Sequence, residues 1–114
     1  YTLTDVTNAA STFVGTAGSA ANWEANKYYD CGTLASTNSY VFKPKPLDKA
    51  IGTKCYVAQF STGATVPTIV FPTSYQPSTA STATRTLKWQ DVEIQPNKTY
   101  EISVINGAGV IVEI

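Results

Sequence analysis

"KTYEISVINGAGVIVEI", residues 98–114, decides the fold. Tyr100, Ile102 and Val104 alternate with Thr99, Glu101 and Ser103, the period of a strand with one inward face. In "NGAG" (106–109), Asn106 and Gly107 supply the positive-φ positions of a hairpin turn. "VIVEI" then returns as a second strand. Val110, Val112 and Ile114 share one side; Ile111 and Glu113 take the other, joined by Ile105. The hairpin is thus apolar on more than one face. A second layer of this chain covers the extra face, or another subunit does.

Just upstream, "IQPNKTY" (94–100) has the chemistry of a corner. An apolar residue ends one strand, Pro96 fixes φ, and Asn97 tolerates a left-handed backbone. In immunoglobulin-like sandwiches a tyrosine near such a corner returns its hydroxyl to the backbone a few residues upstream, and Tyr100 is placed for that role. "WEANKYYDCG" (23–32) carries the same elements at one offset (97 − 26 = 71): Asn26 matches Asn97, Lys27 matches Lys98, Tyr29 matches Tyr100 and Asp30 matches Glu101. A duplicated ligand site would look like this, and so would two similarly built corners. The offset is too long for a solenoid repeat, which favours corners.

The rest of the chain continues the strand pattern. "YTLTDV" (1–6) reads as an edge strand, and "NAASTFVGTAGSAAN" (8–22) as a loop around a short strand at 12–14. Further strands are predicted in "KYYDCGTL" (27–34), "NSYVFKP" (38–44), "TKCYVAQF" (53–60) and "TIVF" (68–71). "LKWQDVEI" (87–94) reads as a strand bulged between Gln90 and Val92. "PTSYQPSTASTATRT" (72–86) is rich in Ser, Thr and Pro and reads as an exposed loop. One all-β domain over 1–114 follows: an antiparallel β-sandwich, immunoglobulin-like or jelly-roll-like. The chain opens on Tyr1 and holds no Met, so a processed form or a fragment of a longer chain, such as a terminal module, is expected.

Composition excludes several functions. Net charge is +0 and only 14% of residues are charged, against about 25% on average. Such a surface suits neither nucleic acid, whose binding is dominated by phosphate neutralisation, nor an anionic membrane. Near-zero charge favours association with protein instead. There is no histidine, so Ser-His-Asp and Cys-His catalysis are excluded, with the commonest metal ligand. The closest carboxylates, Asp91 and Glu93, read as a solvated strand edge rather than an acid/base pair. Cys31 and Cys55 lack zinc spacing; two core thiols are favoured over a bridge. No catalytic residue, metal or cofactor is expected. The candidate binding residues are aromatic: Tyr75, in the long loop, and Tyr28, whose neighbour Tyr29 takes the opposite face.

Taken together, "FPTSY…LKW…IQPNKTYEISVINGAGVIVEI" resembles the C-terminal module of virion proteins from gut-associated bacteriophages. The matching positions are Phe71, Pro72, Thr73, Ser74, Lys88, Trp89, Ile94, Pro96, Asn97, Lys98, Tyr100, Ile102, Ser103, Asn106 and Val110. "WEANKYYDCGTL…SYVF" is similar to the first half of the same module. The link between Pro72 and Trp89 is longer than that pattern has. The resemblance implies a non-enzymatic β-module on a tail fibre, head fibre or other appendage, located on the virion. Its partners would be itself, often as a trimer, other virion proteins and a host-surface glycan or protein. A bacterial surface or secreted carbohydrate-binding module is the alternative.

Overall fold

The computed structural model describes residues 5–7, 23–24, 27–45, 56–75, 84–105 and 107–114. Among them there is no helix, and there are ten strands. They are β1 (Asp5–Thr7), β2 (Lys27–Leu34), β3 (Ser39–Val41), β4 (Tyr56–Thr62), β5 (Thr68–Val70), β6 (Ser74–Tyr75), β7 (Arg85–Thr86), β8 (Lys88–Trp89), β9 (Thr99–Ile105) and β10 (Ala108–Glu113). The chain is all-β. The short strand predicted at 12–14 lies outside the described residues, as do Asn26, Cys55, Asn106 and the centre of the Ser/Thr-rich loop.

The main sheet has the order β1-β2-β4-β9-β10-β8, while β3 pairs with β5 and β6 with β7. The pairing is mixed, which corrects the antiparallel expectation. β1 with β2, β2 with β4, β3 with β5, and β8 with β10 run parallel. β4 with β9, β9 with β10, and β6 with β7 run antiparallel. The cause lies in the connections. After Leu34 the chain turns, with Asn38 N donating to Ala35 O at 3.2 Å, and leaves the main sheet as β3. After Thr62 it turns again and leaves as β5. Two strand-turn-strand units therefore lie side by side, each feeding the same two sheets in the same direction.

The terminal hairpin closes as its sequence requires. Ile105 pairs with Ala108 across the turn, and Gly107 has φ +80°. The β9–β10 and β4–β9 registers put Tyr100, Ile102, Val104, Phe60, Ala58, Tyr56 and Ile111 on one face. Side chains of β3 and of the residue after it join them, so Tyr40 and Phe42 share one apolar cluster with Trp23, Leu34 and Leu87. Rings run through it: Phe60 stacks on Phe42 at 5.6 Å, Phe42 on Phe71 at 6.2 Å, and Trp89 on Trp23 at 6.3 Å. Each such pair is worth about 0.5–1.5 kcal/mol beyond its buried area. Val57 and Ser103 face away from this cluster and are buried nonetheless.

The predicted strand over 87–94 is shorter than expected. Only Lys88 and Trp89 pair with β10. Gln90 N still donates to Gly109 O at 3.0 Å, but Val92 N then turns back to Gln90 O at 3.0 Å. From there the chain leaves the edge: Ile94 packs against the core and Gln95 O accepts a 2.6 Å bond from the Thr62 hydroxyl of β4. The change of alternation at Gln90 thus marks a departure from the sheet rather than a bulge within it.

Candidate binding surface

Gln95 N donates to the Tyr100 hydroxyl at 2.9 Å, five residues back along the chain. Asn97 between them has φ +56°. Its N–H donates to Gly63 O at 2.9 Å, and Lys98 N donates to Thr62 Oγ1 at 3.1 Å. This corner is stitched to the end of β4, and the buried Thr62 hydroxyl both donates and accepts there.

Tyr29 also reaches back five residues. Its hydroxyl bonds to the backbone of Glu24 and approaches Glu24 Oε2 at 3.5 Å. Burial raises the phenol's pKa above its ordinary value. Glu24 is itself tied to Lys27 at 2.5 Å and Lys45 at 3.3 Å, and these bonds hold its carboxyl below the usual range. Tyr40 makes a third contact of the same span, accepting from Ala35 N at 2.9 Å. Sequence reading missed Tyr40 as a corner. Its signal is a polar turn ending in Ser-Tyr, "TNSY", which parallels "NKTY".

Of the two aromatic candidates, Tyr28 projects from the face opposite the core. Its hydroxyl donates to Gln59 Oε1 at 2.8 Å and lies 3.3 Å from Glu101 Oε2. Asp30 pairs in register with Gln59, and Gln59 with Glu101, so a polar row crosses three strands on that face. Asp30 Oδ1 also accepts from Gly32 N at 3.1 Å, where β2 bulges and Gly32 takes φ +63°.

Tyr75 does not join this row. It is half-buried, packs against the core cluster, and has its ring beside Gly107 in the terminal hairpin. The reading of Tyr75 as an exposed loop aromatic is corrected: β6 and β7 pair at its position and draw it inward. The structure places the two tyrosines on opposite sides of the main sheet.

Asp91 and Glu93 are exposed on an irregular segment. The Cys31 thiol is buried and its pKa is pushed up to about 12, chiefly by burial and then by the Asp30 charge. It is a packing group rather than a nucleophile near neutral pH. Among the described residues no three His, Cys, Asp or Glu side chains are grouped to hold a metal. No protein-family model, curated protein or solved structure matches the chain.

Proposed function

We propose that the chain is a structural module of a bacteriophage virion appendage, a tail fibre or head fibre, that works by assembly and by adhesion to the host surface. The reading rests on the resemblance and on one observation: the residues that carry it interlock. Trp89 Nε1 donates to Pro72 O at 2.8 Å, Phe71 lies 4.8 Å from Trp89 centre to centre, and the Tyr100 corner contains Pro96 and Asn97. Such a motif specifies a shape rather than a reaction. We read the two sheets that share one core as a β-sandwich of the immunoglobulin or jelly-roll kind, with mixed pairing. The test is immunogold labelling of purified phage particles with antibody to this chain. Gold on a fibre or head appendage is expected, and particles without label would overturn the reading.

The Tyr28–Gln59–Glu101 row favours a second reading, a carbohydrate-binding module of a bacterial surface or secreted protein. An aromatic ring flanked by amide and carboxylate groups is suited to sugar hydroxyls. Glycan-array binding that Tyr28→Ala abolishes would support it. Binding unchanged by that substitution would remove the row from consideration.

A further inference from the structure

We propose that the open half of the β10 edge receives β10 of a second copy of this chain, antiparallel about a two-fold axis at Val112. In β10, successive residues direct their backbone groups to opposite sides. Gly109 O accepts from Gln90 N and Ile111 N donates to Gln90 Oε1 at 3.0 Å, so residues 109, 111 and 113 serve the outer edge. Ile114 N, bonded to Thr99 O of β9 at 2.9 Å, fits the opposite parity. β8 pairs only with Ala108 and Gly109 before the chain departs at Gln90. Among the described residues, no strand follows it along 111–113.

The edge is self-complementary in one register. With the axis at Val112, Val112 faces its own copy and Val110 faces Ile114, all on the outer side of the sheet. Val112 is 51% and Ile114 66% exposed, so these contacts bury apolar surface now in water. On the other side Ile111 faces Glu113, and no like charges oppose each other. Glu113 already has Lys98 at 3.5 Å within its own copy. The register gives Glu113 N–H to the Ile111 carbonyl of the other copy, twice by symmetry. A chain of zero net charge adds no long-range repulsion. Gln90 matters because its carboxamide occupies the Ile111 N–H, which this register gives to the Glu113 carbonyl of the other copy; the carboxamide must swing aside before the strands can pair. Strand pairing of this length buries less than the roughly 1,200 Å² of stable interfaces, so the dimer is weak and forms at high local concentration.

The inference does not depend on the virion reading. Sedimentation equilibrium from about 10 μM to about 1 mM spans the affinities of such contacts. A reversible monomer–dimer equilibrium is expected. Val112→Lys and Val112→Glu should each abolish it, and their equimolar mixture should restore it. Gln90→Ala should tighten it several-fold. Val112→Cys should cross-link to its own copy on oxidation, since facing residues without backbone bonds lie about 4.5 Å apart. Ile114→Cys should not. A monomer throughout the range that also gives no Val112→Cys cross-link would overturn the proposal. So would a dimer indifferent to charge at 112. A trimer unaffected by Val112→Lys would overturn edge pairing while leaving the appendage reading intact.

Discussion

The indole of Trp89 fills the space that a side chain at Gly109 would need: a Cβ built there lies 2.3 Å from two of its ring carbons. The two residues pair in register between β8 and β10. The same indole is held by Phe71, by Trp23 and by the Pro72 carbonyl. One side chain therefore joins the edge of the main sheet to the segment that follows β5.

Gly109→Ala forces either the ring or the strand to move. Overpacking of this kind costs about 1–3 kcal/mol. Gly63→Ala is the matched control, because a Cβ there meets only a Thr33 methyl at 4.0 Å. Urea denaturation should show a lower midpoint for the first variant and parent-like unfolding for the second. Equal midpoints would show that Trp89 can shift without cost.

Tyr100→Phe and Tyr40→Phe each leave a backbone N–H without its phenol acceptor, at Gln95 and Ala35. An unmet group of this kind costs about 1–3 kcal/mol when buried. Tyr28→Phe should cost less, because its ring is less buried than Tyr40 and Tyr100 and its partners Gln59 and Glu101 are side chains that can turn to water, whereas Gln95 and Ala35 offer fixed backbone groups. Thermal melts of the three variants rank the contacts. Parent-like melting of Tyr100→Phe would remove its hydroxyl as the anchor of the corner and reopen "NKTY" as a ligand site.

Much of this architecture was legible in the sequence because it depends on local rules. β2 coincides with "KYYDCGTL", and β9 buries Tyr100, Ile102 and Val104 as alternation requires. Strand direction was not legible, since a period of two is the same for parallel and antiparallel neighbours. The β2–β4 pair became parallel only because β3 intervenes in another sheet. The half-buried position of Tyr75 is not legible, because composition marks a loop but cannot show that its two ends pair. Alternation puts Tyr28 and Tyr29 on opposite faces without saying which is outward, and the contacts of Tyr28 with Gln59 and Glu101 span 31 and 73 residues and depend on register.

Asn97 sits at φ +56°, where a Cβ crowds the following carbonyl. Asn97→Gly should be neutral within about 0.5 kcal/mol, since glycine reaches this region without steric cost. Asn97→Val should lose about 1–2 kcal/mol, because β-branching makes the left-handed region worse. The comparison is read from denaturation midpoints at neutral pH. A valine variant as stable as the glycine variant would mean that the corner relaxes to another backbone.

Cys31 ties stability to alkaline pH. Its ordinary pKa of 9.0 is pushed up to about 12 by burial and by Asp30. Below 9 the thiol is protonated whether the chain is folded or not, so its contribution is fully present. Between 9 and about 12 the unfolded chain ionises first, which draws the equilibrium toward unfolding. The slope from this one group is at most about 1.4 kcal/mol per pH unit. Cys31→Ala should therefore unfold at a lower urea concentration at pH 7 but lose less stability than the parent from pH 8.5 to 10.5. Tyr29, also raised by burial, is common to both proteins and cancels in the comparison. Peptide mapping after iodoacetamide at pH 8 gives a second measure: the Cys31 peptide should label slowly when folded and rapidly in urea. Labelling at the free-thiol rate in the folded protein would show that the thiol is exposed to solvent.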